Sequence, residues 1–136
     1  MGKEEINRGQ LIADNIRKIL LNIDLRLLYC KGEIDLAEAD FQCQSRFDSP
    51  SAKRKAMTAK SRIEVFSIYA ENLNRARNEI SSGLEQVLNT YSPKQKQIWT
   101  MYFIEKATIQ EISTKVNYVT RNVDKIVQQF KLDLAN

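Results

Sequence analysis

Histidine is absent from this 136-residue chain, and the sequence holds only two cysteines, two prolines, four glycines and one tryptophan. Each scarcity narrows the range of functions. Without histidine the commonest general base is missing, and with it the Ser-His and Cys-His nucleophile arrangements. Cys30 and Cys43 fall short of the four Cys/His ligands of a structural zinc site, so no metal and no cofactor is expected. Nothing marks the chain as secreted, and both cysteines are read as reduced thiols. No glycine-rich phosphate loop occurs and no carboxylate or lysine pair stands out, so the chain is read as non-enzymatic with no catalytic residues. No apolar run is long enough to span a bilayer, and Met1-Gly2-Lys3-Glu4-Glu5 lacks the apolar core of a signal peptide. The expectation is a cytoplasmic protein without a membrane partner.

What remains is rich in Leu, Ile, Ala, Lys, Glu and Gln, a composition that favours an all-α fold. Charge is unevenly spread. Residues 1–50 carry seven Lys/Arg against nine Asp/Glu, whereas residues 51–91 and 92–136 each carry seven against four. A basic excess confined to the later two thirds fits an anionic partner such as nucleic acid.

The spacing divides the chain into three parts, residues 1–50, 51–90 and 91–136. From about Lys3 to Leu28, Ile12, Ile16, Ile19, Leu20, Ile23 and Leu27 recur at three and four residues, predicting an amphipathic helix that Lys31-Gly32 closes. Glu33 to Pro50 reads as an acidic, solvated linker, since its carboxylates match no calcium-loop spacing. A long helix follows from about Ser51 to Leu88, with a basic start at Lys53, Arg54 and Lys55. Its stripe of Phe66, Tyr69, Leu73, Ala76, Ile80 and Val87 suits either an antiparallel helix of the same chain or a coiled-coil contact in a homodimer. The basic start is either a solvated surface or a phosphate-contacting patch. Positive charge at a helix N-terminus opposes the helix dipole, which favours the second.

The last part carries the clearest punctuation. Ser92-Pro93-Lys94-Gln95 is a capping box with proline at the first helical position. Thr108-Ile109-Gln110-Glu111 is a second capping box, opening a short helix with Ile109, Ile112 and Val116 inward. Asn117 is the natural substitute for glycine where the chain turns through left-handed backbone angles. A third helix runs from about Thr120 to Leu134, its inward stripe being Val123, Ile126, Val127, Phe130 and Leu134. Arg121, Lys125 and Gln128 fall opposite that stripe, flanked by Asn122, Asp124 and Gln129, with Thr120 at the helix start. A short helix, a tight turn and a longer helix with such an outer face form a helix-turn-helix pattern, and these side chains suit base edges and phosphates.

The stretch Ser92-Pro93-Lys94-Gln95-Lys96-Gln97-Ile98-Trp99-Thr100-Met101-Tyr102-Phe103, with Thr108-Ile109-Gln110-Glu111-Ile112-Ser113 and Val116-Asn117-Tyr118 through Val123, resembles the fourth region of bacterial sigma factors. Its placement after two long helices is similar to the ArpU and RinA groups of phage late-gene transcriptional regulators. The resemblance implies a sigma region-four-like helix-turn-helix, double-stranded DNA as partner, a bacterial host cell and the neighbourhood of RNA polymerase. It departs at three positions: Ser113 stands for the usual Ala, Asn117 for Gly, and Val119 for a capping Ser, which moves the expected cap to Thr120. The function so read is sequence-specific DNA binding in transcription regulation by Thr120, Arg121, Asn122, Asp124, Lys125, Gln128 and Gln129, with Lys53, Arg54 and Lys55 on phosphate. The alternatives are a small terminase-like phage DNA-binding subunit, or an all-helical protein-interaction module without DNA binding.

Overall fold

The computed structural model describes residues 2–136 and is all-helical, with no strand among those residues. Helix α1 spans Lys3–Gln44 and α2 spans Pro50–Leu88. Helix α3, Pro93–Trp99, runs on into one π-helical turn, Thr100–Ile104. Helices α4, Ile109–Val116, and α5, Thr120–Ala135, complete the chain. Among the described residues no helix is long and apolar enough to cross a membrane. Two compact units are formed: the chain up to Ile19 with Ile80–Asn136, and Leu20–Glu79. These do not coincide with a division at residues 50 and 90; the limits fall inside α1 and α2.

In the Leu20–Glu79 unit the segments of α1 and α2 run antiparallel. Tyr29 meets Phe66 edge-on at 5.8 Å between ring centroids. The Arg26 guanidinium donates to the Tyr69 hydroxyl at 2.8 Å, Arg62 pairs with Glu33, and Arg77 Nε donates to Asp24 at 2.9 Å. Both ion pairs lie at the surface with their side chains partly exposed, so they fix register more than they add stability. The stripe containing Phe66 and Leu73 is thus half-buried within its own chain.

One expectation fails in this unit. Gly32 does not end α1, and Glu33 to Gln44 is helix, not linker. The reason is visible in the periodicity. Leu27, Cys30, Ile34 and Ala37 continue the alternating three- and four-residue spacing past the glycine, and Cys30 and Ala37 have no exposed surface. A glycine in a helix interior costs about 1 kcal/mol relative to alanine. Continued burial of an apolar line outweighs it. The turn comes only after Gln44. Ser49 then accepts from the Ala52 amide at 3.1 Å, with Pro50 at the first position of α2.

In the other unit, Ala13 of α1 and Leu84 and Leu88 of α2 join Ile98, Trp99, Met101, Phe103, Ile112, Val116, Val123, Val127 and Phe130 in one core. Four of the six residues from Ile98 to Phe103 are buried. On a regular helix these four would spread over about 200°. The π turn accommodates them: the Glu105 amide bonds back five residues to the Thr100 carbonyl at 3.0 Å, and Lys106 then takes a left-handed φ of 58°.

Gly9 marks a close approach of α1 to α5 in this unit. A Cβ there would lie 1.8 Å from the Lys131 carbonyl oxygen of α5, inside any real contact distance. Gly83, on α2, has nothing within 4 Å of the same position. The two glycines therefore respond to alanine in opposite senses. Gly9→Ala forces the helices apart and should destabilise by about 1–3 kcal/mol despite alanine's higher helix propensity. Gly83→Ala should stabilise by about 0.5–1 kcal/mol. Denaturant unfolding followed by the single tryptophan, Trp99, measures both; equal shifts would contradict this packing.

Candidate nucleic-acid interface

The side chains that fix α5 also decide which of its faces is left free. The Thr108 hydroxyl accepts from the Glu111 amide at 3.1 Å, and the Glu111 carboxylate accepts from the Thr108 amide at 3.1 Å. This completed capping box sets where α4 begins. The corresponding box of Ser92 and Gln95 starts α3. At the other end of α4, Asn117 adopts φ 60° and ψ 39°, the left-handed conformation its short polar side chain tolerates. Its amide and that of Tyr118 both bond back to the Ser113 carbonyl. The Ser113 hydroxyl in turn donates to the Tyr118 carbonyl. Serine at this position, where the resembled family has alanine, therefore stitches the turn to the helix before it. Lys94 lies over the Tyr118 ring, 4.6 Å from its centroid, and holds the first turn of α3 against the same corner.

Past the corner, Val123, Val127 and Phe130 are at most 1% exposed, in contact with the α4 side chains Ile112 and Val116 through the shared core. Phe130 sits 5.1 Å from Trp99 and 4.9 Å from Phe103, ring to ring. Tyr91 closes the far end. Its ring stands edge-on to Phe130 at 6.0 Å, and its hydroxyl donates to the Asp133 carboxylate. Burial, followed by that bond and the carboxylate's charge, pushes the Tyr91 phenol above its usual range.

With that side committed, Thr120, Arg121, Asn122, Asp124, Lys125 and Gln129 are exposed and Gln128 is half-buried. Gln128 lies 3.4 Å from Asp124, and Gln129 donates to Asp133 at 2.9 Å. The seven residues singled out on this helix thus share its outward side. Lys131 does not join them. It is buried, its ammonium 5.4 Å from the Tyr102 ring centroid, and desolvation lowers its pKa against the opposing pull of Asp124 and Asp14.

The cap of α5 differs from expectation. The N-cap is Val119, not Thr120, and a valine side chain offers no acceptor to the first amides. The first turn carries no acidic residue either. The positive end of the helix is left uncovered at the surface beside Arg121. Two exposed neighbours escaped the sequence reading: Val119, 64% exposed, and Lys115 in the last turn of α4. The left-handed Asn117 was the available signal, because a turn there carries both to the same corner.

Lys53, Arg54 and Lys55 belong to the Leu20–Glu79 unit and are exposed in the first turns of α2. Arg54 and Lys55 line a groove with Arg62, Thr58, Ser51 and Asp40. No group of carboxylate and cysteine side chains suited to a metal ion occurs among the described residues. No protein-family model matches the chain, and no curated protein or solved structure is significantly similar to it.

The capping box also makes a pH prediction. Hydrogen bonding by the Thr108 amide, and then by its hydroxyl, holds the Glu111 carboxyl below its usual range. A carboxyl with a depressed folded pKa adds stability above its unfolded pKa, and that stability fades as pH falls through the folded value. Glu111→Gln keeps an acceptor for the Thr108 amide and removes the titration. Thermal unfolding of wild type should therefore lose more stability than Glu111→Gln as pH drops below the ordinary carboxylate range. Parallel curves would show that the charge on the Glu111 carboxylate adds nothing to the box.

Proposed function

We propose that this chain is a sequence-specific, double-stranded-DNA-binding transcriptional regulator of the phage late-gene kind, in which α4, the Asn117 turn and α5 act as a helix-turn-helix. The observation that carries the reading is the division of α5. One side is sealed in the core, while Arg121, Asn122 and Lys125 look outward from its N-terminal half, the part of a recognition helix that meets base edges, with half-buried Gln128 just beyond them. Arginine and lysine suit guanine O6 and N7, and asparagine and glutamine suit adenine N6 and N7. The uncovered amides at Val119 to Arg121 add a place for a backbone phosphate, since a helix N-terminus attracts anions. The resemblance of Thr108 to Val123 to a sigma-factor module supports the same assignment. In this reading α4 lies across the sugar-phosphate backbone, with Lys115 beside it, and Lys53, Arg54 and Lys55 take phosphates without reading sequence.

The test begins with selection of a preferred site from a random duplex pool, followed by titrations on that site and on a scrambled duplex at several salt concentrations. Arg121→Ala and Gln128→Ala should each cost about 1–3 kcal/mol on the selected site and little on the scrambled one. Lys53→Ala should weaken both alike and lower the salt slope by about one. If neither α5 substitution changes the ratio of the two affinities, α5 is not the reader and the transcription-regulator reading fails.

A further inference from the structure

Helix α1 is apolar on two opposite sides, and the fold of the Leu20–Glu79 unit covers only one. The inner line, with Ile23, Cys30 and Ala37 buried, faces α2. On the far side Leu21, Leu25, Leu28 and Leu36 are all more than half exposed, Leu25 and Leu28 by about two thirds, while Tyr29 on the flank turns its ring to Phe66 of α2. At about 100° per residue these side chains and Gly32 fall into one stripe on the back of the helix. Single exposed leucines are ordinary, but a contiguous stripe of this kind marks an interaction surface.

We propose that this stripe is the interface with a second copy of the same chain, the two α1 helices lying antiparallel across a two-fold axis between Leu28 and Tyr29. Charge along the helix selects both the partner and the direction. Leaving aside Asp24, Arg26 and Glu33, which bond to α2, Arg17 to Lys31 carries three cations and no acid, whereas Gly32 to Gln44 carries three acids and no cation. Antiparallel copies set each half against its opposite; parallel copies would stack acid on acid. A C2 contact must also be self-complementary in shape. About the proposed axis Leu21 faces Leu36 of the second copy, and Leu25 faces Gly32 of the second copy. Gly32 has no neighbour within 4 Å of a would-be Cβ, so its own chain makes no use of the missing side chain. A glycine in mid-helix that serves no internal contact leaves room for the opposing Leu25. The stripe is separate from the α2 line of Phe66 and Leu73, which packs inside the chain, and separate from α5.

Sedimentation of the full chain should give a dimer, and Leu25→Glu with Leu28→Glu should give a monomer with unchanged helical circular dichroism and unchanged Trp99 emission. Direction and register are tested by disulfides in a Cys43→Ser background. A mixture of Leu25→Cys chains with Gly32→Cys chains should oxidise to a mixed disulfide, and Leu25→Cys alone should not link to itself. A monomeric wild type, a dimer that survives both glutamates, a Leu25→Cys disulfide with itself, or no mixed disulfide would each overturn the proposal.

Discussion

Burial of the Val123, Val127 and Phe130 line is the constraint on which the C-terminal helices depend. Phe130 lies against Trp99 and Phe103, and each such ring pair contributes about 0.5–1.5 kcal/mol beyond the area it buries. Tyr91 fixes α5 from the α2 side of α3, and the Gly9 notch lets α1 reach the α5 backbone at Lys131. Apart from the Gly9 contact at the Lys131 backbone, near the C-terminal end, these contacts use the buried side of α5. They fix its rotation, and rotation decides which side chains are offered to a partner. A rigid element whose free face is set by packing on its other face is the arrangement a groove-reading helix requires.

Electrostatics sharpens that division. Of the cations on α5, Lys131 is committed to the Tyr102 ring and to burial, whereas Arg121 and Lys125 stand in solvent. Asp124 is the one acidic residue among the outward candidates; close to Gln128, it limits how that amide can turn. The free positive charge is therefore concentrated toward the N-terminal half of the helix, which is also the end with the unsatisfied amides.

The sequence was most readable where local chemistry decides the structure. Both capping boxes and the left-handed Asn117 follow from hydrogen bonds made within four residues, and such bonds leave a signature in order and spacing. It was least readable where distant packing overrides a local preference. Gly32 has the form of a helix terminator, but the buried Cys30 and Ala37 carry α1 past it. Gly9 looks like an unremarkable break in a helical pattern, and its role appears only when the Lys131 carbonyl arrives from the far end of the chain. The π turn has the same origin, in the burial of Met101 and Phe103 together. At Val119 the expected capping residue was missing and the helix began there regardless, because the Val123 and Val127 positions had already fixed where it lies. Arg121, Lys125 and Gln128 could be placed on one side from periodicity alone; the partial burial of Gln128 and the removal of Lys131 could not.

The most direct measurement is an amide chemical-shift map of the labelled chain with a short duplex carrying its selected site. The changes should concentrate from Val119 to Gln129 and at the exposed side of α4 around Thr114 and Lys115, with smaller, salt-sensitive changes at Lys53 to Lys55. Changes confined to the Leu20–Glu79 unit, or none on α5, would contradict this reading of α5.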